Sequence, residues 1–436
     1  MDDTKQSRGY VLGLFLVMNI LAYIDRQLPA ILMPSMRAEL GLNDSQLAFI
    51  TGAAFALFYV VMCMPLGRMA DTMPRKKVLV ICVGFWSLMT ALTGFAKSFM
   101  LLAFARFGVG IGEAGLNPAA QSMLSDLYAD KGKRGTASAV FSMGISLGTL
   151  IAFLGGGLLD KYFGWRMAFI VLGVPGILIA IIAHFTLQEP KRGMADSYVD
   201  TGAPPTFFET IKTMWGIRVW RYMMFGTGFA GLCNTCSTVW APSYLSRSFN
   251  LTPAEIGAFM SPAIGLGGVV GTFFGGFMVD ILRRRNPRWG ALLPMFMVGS
   301  CAIPMVLIFS ADSATEAILL FTYPLLIVPT HLACFSVTSQ SVAPLRMRGM
   351  APALSLLVTA GIIGQGLGPQ IIGGLSDMFA PVRGEESLRY ALLIVAPLAA
   401  LTSAFFFYLG SRHIVADVAA AQARQGVSPT TATSVP

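Results

Sequence analysis

Along this chain, apolar stretches of about twenty residues alternate with short polar intervals, and the alternation runs through twelve stretches. They are centred near residues 22, 57, 86, 112, 146, 175, 232, 268, 299, 329, 362 and 398. A helix rises about 1.5 Å per residue, so roughly twenty apolar residues cross the ~30 Å hydrocarbon layer of a bilayer. The pattern predicts an all-α membrane protein of twelve transmembrane helices, spans 1 to 12. The longest polar interval, residues 189–217, carries Pro204 and Pro205 and reads as a linker. It separates an N-terminal six-helix bundle (1–188) from a C-terminal one (218–412). Residues 413–436 end in the polar, low-complexity ARQGVSPTTATSVP, which predicts a disordered tail.

Composition strengthens this reading. The 436 residues are 55% hydrophobic and only 12% charged, with a mean hydropathy of +0.67, whereas a soluble chain is about 25% charged. The first apolar run is long and no small-residue cleavage site follows it, so we read it as a retained helix and not a signal peptide.

The net charge of +9 alone could suggest a polyanionic partner, but its placement argues otherwise. Arg75-Lys76-Lys77, Lys131-Lys133-Arg134, Lys191-Arg192, Arg283-Arg284-Arg285 and Arg346-Arg348 all fall in alternate loops. The opposite loops hold little beyond Arg37, Lys97, Lys161, Arg166, Arg247, Arg383 and Arg389. That asymmetry sets orientation. It predicts an inner (plasma) membrane protein with both termini and the linker in the cytoplasm, and it calls for no nucleic acid.

The two halves also repeat. GRMADTMPRKK from Gly67 matches GGFMVDILRRR from Gly275: a Gly precedes an Asp by four, and an Arg follows it by four. KRGTASAV from Lys133 matches MRGMAPAL from Met347, and GGGLLD ending at Asp160 matches IIGGLSD ending at Asp377. The three offsets, all roughly 210 residues, predict parallel repeats, a recurring transporter architecture.

These residues resemble the major facilitator superfamily. Gly67, Asp71, Arg75 and Lys76 match its G-x-x-x-D-x-x-x-R-[KR] motif between the second and third helices, and Arg106-x-x-x-Gly110-x-Gly112 resembles its helix-4 motif. Within the superfamily, NILAYIDRQLPA and GVGIGEAGLNPAAQSMLSDLY are similar to the Spinster group, whose known substrates are lysophospholipids and sphingosine-1-phosphate. The resemblance implies the major facilitator fold, two pseudo-symmetric six-helix bundles, a monomer, and a cavity lined by helices 1, 4, 7 and 10. It also implies that Asp71 reaches the start of span 11 near Arg348 and latches the cytoplasmic side. By the repeat, Asp280 would face the start of span 5 near Arg134. Arg75 and Arg284 complete the expected gating set.

Ionisable residues within the apolar stretches fall on few spans: Asp25 and Arg26 on span 1, Arg106 and Glu113 on span 4, His331 on span 10. Span 7 adds a polar belt from Asn234 and Thr235 to Trp240. Charge at membrane depth is costly and faces a cavity or a partner. Arg106 and Glu113, seven apart, share a helix face about 10.5 Å apart along the axis. Asp25 and Arg26 diverge by ~100°. Either Arg26 faces the cavity and Asp25 packs toward Arg106, or the reverse.

Burial favours a neutral carboxyl and a nearby cation favours an ionised one. Glu113, then Asp25, then His331 are therefore the candidates for proton coupling. Arg26 and Arg106 suit an anion, and Asn117, Asn234, Thr235 and Trp240 complete the candidate binding set. An ion-pair network that merely braces the helices is the competing reading. The expected function is alternating-access transport of an amphipathic anionic lipid, with protons as co-substrate and membrane lipids as surroundings. A proton-linked carrier of a small organic acid and an uncoupled lipid facilitator or scramblase are the alternatives. The chain has no phosphate-cradling G-x-x-x-x-G-K-[ST] run, nucleophile–base pair or metal-ligand spacing. The reading is of a non-enzyme without cofactor or metal, and the six buried-type cysteines read as packing residues.

Overall fold

The computed structural model describes residues 6–128, 133–190, 207–344, 347 and 357–424. These residues are almost entirely helical, with no strand among them. Helix α1 spans Arg8–Leu40 and stops at Gly41, whose φ of 62° lets its N–H close back on the Arg37 carbonyl. Helix α2 spans Asp44–Thr72 and opens with a capping box, in which Asn43 and Gln46 each accept from the other's backbone N–H. Helix α3 (Arg75–Thr93) starts after Pro74. Helix α4 (Phe99–Leu127) starts where the Ser98 hydroxyl accepts from the Leu101 N–H.

Helix α5 runs over 53 residues, Arg134–Thr186, and turns at Gly164, whose φ of 79° and ψ of 160° are a conformation open only to glycine. The bend is tied down at once. Trp165 Nε1 donates to Glu39 (2.6 Å), Arg166 Nη2 donates to the same carboxylate (2.8 Å), and Arg166 also reaches the carbonyls of Gly94 and Ala96.

The later helices are α6 (Phe207–Trp215), α7 (Arg218–Thr238), α8 (Ala241–Phe249), α9 (Pro253–Arg285), α10 (Trp289–Ser310) and α11 (Ala314–Val342). A π-helical stretch Leu357–Leu367 leads into α12 (Gly368–Arg383), and α13 covers Ser387–Arg424.

Among the described residues, nine helices are long and apolar enough to cross a membrane. Two of these continuous runs, Arg134–Thr186 and Gly361–Ala423, hold two crossings each, turning at Gly164 and Gly384. Helix α7 has the length, 21 residues, but its Arg, Asn and Thr content hides it from a hydropathy criterion. The twelve expected spans are thereby accounted for. Leu57, Val61, Ile81, Phe104, Leu178, Ile181 and Phe185 stand exposed along these helices, the outward apolar surface that a lipid environment requires.

Contacts divide the chain into two compact units. The first combines Met1–Asp200 with Thr238–Leu266 and Pro369–Leu388, and the second combines Thr201–Ser237, Gly267–Gly368 and Arg389–Pro436. This partition cuts across the 189–217 interval. In the first unit α1 lies along α5, and α3 packs on both α4 and α5. Its core holds Phe15, Trp86, Met123 and Phe141. In the second unit α7 lies against α13, where the Ser403 hydroxyl donates to the Gly226 carbonyl (2.7 Å) and Tyr222 stacks on His413.

Two expected boundaries change. Residues 207–215, assigned to the linker, form the amphipathic α6, while 191–206 lie outside the described residues. The expected tail from 413 is helical to Arg424. ADVAAAQAR is a strong helix former, and Asp417 accepts from the Val219 N–H at the start of α7 (2.8 Å). Residues 425–436 lie outside the described residues.

Candidate functional site

Helices α1 and α4 bring four charges together inside the first unit. Arg26 donates from both Nε (3.1 Å) and Nη2 (2.6 Å) to one oxygen of Glu113, Oε2. The pair is lopsided: the Glu113 side chain is wholly buried, whereas Arg26 keeps 13% exposure. The guanidinium lies among three rings, 4.8 Å from Tyr23, 4.7 Å from Phe55 and 5.0 Å from Tyr59. Such faces hold a cation while leaving its donors free to change partner. Tyr23 comes one turn before Arg26 on α1, and Phe55 and Tyr59, stacked on each other, come one turn apart on α2.

Beside this pair, Arg106 is fully buried and donates through Nη1 to the backbone carbonyl of Asp25 (3.0 Å). Its guanidinium also sits 5.6 Å from the Phe55 ring. The Asp25 side chain turns into the protein, bordered by Trp86 and Thr90 of α3. Helix α4 can approach that closely because Gly112 takes the contact with Trp86, where a Cβ would stand 2.7 Å from the Trp86 Cβ.

Several atoms here have no hydrogen-bond partner among the described residues: Asp25 Oδ1, Arg106 Nε and Nη2, and Glu113 Oε1. Burying an ion costs several kcal/mol unless pairing offsets it, and this cluster is only partly offset. A cluster built only as a brace would satisfy its donors. This one carries spare donors and acceptors around a guanidinium that retains some exposure.

Of the two orientations the sequence left open, the structure has Arg26 as the more exposed group and Asp25 as the buried one. Arg106 is the neighbour of Asp25, though through the backbone carbonyl and not a carboxylate pair. Asn117 is half-buried and borders Tyr59. His331 is buried in the second unit, its Nδ1 2.5 Å from the Val328 carbonyl of its own helix. Asn234 is half-buried there, and the Thr235 hydroxyl is taken up by the carbonyls of Gly231 (3.0 Å) and Gly364 (2.9 Å). Trp240 is fully buried, and its Nε1 has no hydrogen-bond partner among the described residues.

Among the expected gating residues, Asp71, Asp280, Arg284 and Arg134 are exposed, and Arg348 lies outside the described residues. Arg75 is 2% exposed and forms a knot of four bonds: to Asp126 (2.5 Å), Ser122 (3.0 Å), Glu189 (2.9 Å) and the Pro190 carbonyl (2.9 Å). Glu189 also accepts from the Lys76 N–H (2.8 Å). The knot fastens the start of α3 to the end of α4 and to the segment leaving α5. Its acidic members, and the aromatic ring set around Arg26, went unread in the sequence. An acidic residue at a span end looks like any solvated charge, whereas the i, i+3 spacing of Tyr23 and Arg26 was a readable signal.

Residues 15–354 match the model of the Major Facilitator Superfamily. The chain is 28% identical over 409 residues to an MFS-type efflux pump of Mycolicibacterium smegmatis, covering 93% of each. It is 31% identical over 348 residues to a probable sulfoacetate transporter of Cupriavidus necator, covering 73% of this chain and 77% of that one. Its fold matches the crystal structure of a bacterial homolog of the human lysosomal transporter Spinster, inward-facing and unoccupied, with a TM-score of 0.84 and 27% identity. That match covers 95% of this chain and 99% of the other. The chain is an integral membrane transporter of the major facilitator superfamily, with Spinster proteins among its homologues.

Proposed function

We propose that this transporter carries an amphipathic anion by proton-coupled alternating access, and that its cargo is a lysophospholipid or a sphingosine-1-phosphate-like lipid. The observation behind this is the Arg26–Glu113 pair: a partly exposed guanidinium, held by aromatic faces, whose partner is a fully buried carboxylate. An anionic headgroup competes with Glu113 for Arg26. A proton on Glu113 removes the charge that holds Arg26, so the proton and the anion favour the same state of the carrier. Departure of the proton restores the pair and expels the anion. Asp25, next to Arg106, is the second carboxylate in this scheme and His331 the third.

The apolar chain of the cargo would lie along Phe- and Met-rich walls, and Asn117, Asn234, Thr235 and Trp240 are the further binding residues we propose. Asp71, Asp280 and their basic neighbours would gate the cytoplasmic side. The protein would work as a monomer in the plasma membrane with both termini inside, without cofactor.

A second reading, a carrier of a small organic acid, draws support from the likeness to the probable sulfoacetate transporter. Uptake into proteoliposomes separates the two. Labelled lysophospholipid, sphingosine-1-phosphate and sulfoacetate are offered with and without a pH gradient, to wild type, Glu113→Gln and Arg26→Ala. The lipid reading expects gradient-stimulated lipid uptake in wild type, gradient-blind uptake in Glu113→Gln and a loss in Arg26→Ala. Sulfoacetate uptake with no lipid uptake would move the small-acid reading to the front. Lipid uptake indifferent to the gradient in wild type would leave a facilitator.

A further inference from the structure

At the end of the first unit that carries Arg37, segments from distant parts of the chain are joined by a second polar cluster. Asp44, at the start of α2, is 3% exposed and receives Arg247 of α8 through both Nη atoms, Nη1 at 2.8 Å. The Ser376 hydroxyl of α12 donates to the same carboxylate (2.6 Å), and Ser387 adjoins it. Asp377, the next residue on α12, accepts from the Asp44 N–H (3.0 Å) and the Ser45 N–H (2.9 Å). It thus holds the first free amides of α2, where a negative charge also meets the positive end of the helix.

The backbones meet as closely as the charges. At Gly373 an added Cβ would stand 2.5 Å from the Asp44 carbonyl oxygen, and at Gly157 and Gly257 it would collide with the backbone of Pro253 and Phe153 respectively. At these three glycines, two on the α5–α9 crossing and one where α12 meets α2, there is no room for a side chain.

We propose that Asp44, Arg247, Ser376 and Asp377 form a latch that closes this end of the transporter and comes apart in each cycle. Residues 238–266 and 369–388 belong to the first unit by contact although they lie far along the chain, and this cluster is a polar fastening between them and α2. An alternating-access carrier must release such a fastening to admit cargo from this end. The bond is strong in place because Arg247 is 7% exposed and forks onto one carboxylate, yet it is made of groups that water can take over once separated. By contrast Arg37–Glu385, 32% and 67% exposed, is an outer pair of small weight.

A reporter lies beside the latch. A cavity of ≈ 460 Å³ bordered by Arg37, Ser243, Ser246, Arg247 and Glu385 includes Ser243, 1% exposed, whose hydroxyl has no hydrogen-bond partner among the described residues. Separation of α8 from α2 would uncover it. The proposal rests on membership of a transporter family and not on which anion is carried, so the test uses no cargo.

Ser243→Cys is alkylated with a membrane-impermeant maleimide in the otherwise native chain, with the wild type as the background of native cysteines. Adding Asp44→Asn or Asp377→Asn is expected to raise the labelling rate at least tenfold. Arg247→Lys, which keeps the charge and loses the fork, is expected to fall between, and Arg37→Ala to stay within twofold of the parent. Each variant is first checked for a single symmetric size-exclusion peak. Should Asp44→Asn be unstable, Ser376→Ala and Asp377→Asn carry the decision. Labelling at the parent rate in well-folded Asp377→Asn and Ser376→Ala would overturn the latch.

Discussion

The Glu113 carboxylate is asymmetric in its dependence on Arg26. Removing it altogether strands a guanidinium among aromatic rings, and breaking a buried pair in this way typically costs about 3–5 kcal/mol. Glu113→Gln keeps an oxygen for Arg26 to bond. We therefore expect Glu113→Ala to lower the thermal midpoint in detergent far more than Glu113→Gln, with Arg26→Ala/Glu113→Ala recovering part of the loss. Equal shifts for the two Glu113 variants would show that the retained oxygen does nothing for Arg26, and small shifts in both that the pair contributes little to stability. At this scale much was legible. Charges within apolar runs single out Asp25, Arg26, Arg106 and Glu113, because little but a cavity or a partner tolerates them. Their pairing was not legible. A 100° step places Asp25 and Arg26 on different faces without saying which face meets α4, and a guanidinium that chooses a backbone carbonyl leaves no mark in the sequence. Asp44, Arg247 and Asp377 stayed hidden for a simpler reason: in short loops between spans, charges are expected to be solvated.

Elements followed the hydropathy pattern where one face meets lipid, and departed from it where polar contacts hold a helix. The end of α13 is the clearest case. Beyond Arg412 the sequence turns polar and predicts a tail, yet the helix continues to Arg424 and Asp417 caps α7 through the Val219 N–H. A helix cap contributes about 0.5–2 kcal/mol. Truncation after Arg412 should therefore lower the thermal midpoint, and Asp417→Ala alone should reproduce part of that loss. Removal of residues 425–436 is the control, expected to leave the midpoint unmoved. A midpoint unchanged by the longer truncation would return this segment to the role of dispensable tail. The 53-residue α5 shows the converse. The hydropathy pattern expects two spans with a break between them, and Gly164, with its non-helical φ and ψ, is that break.

For the whole molecule, orientation is the feature on which every transport argument depends. The clusters at Arg75 to Lys77 and Arg283 to Arg285 fall at span ends that the alternation along the sequence assigns to the same face, and the proposal puts that face in the cytoplasm. Ser7→Cys should then resist an impermeant maleimide in intact cells and react after permeabilisation, while Lys97→Cys should react from outside in both. The reverse pattern would invert the molecule, and with it the face that the Asp44 latch closes. The parallel repeat was legible from three short matches, because glycines and charges at span ends have few tolerable substitutes. The contact units were not, since they depend on which helix ends touch in one conformation.

One atom of the central pair has a kinetic meaning. Both bonds from Arg26 end on Glu113 Oε2, and Oε1 has no hydrogen-bond partner among the described residues. In the proposed scheme a proton would arrive at Oε1 without first evicting the guanidinium, whereas a headgroup would not reach Arg26 on equal terms until the carboxylate had lost its charge. The two co-substrates would not queue at random. In initial-rate measurements, saturating acid on the loading side should abolish the dependence on the order of addition, and the cargo's apparent affinity should vary with proton concentration while the limiting rate does not.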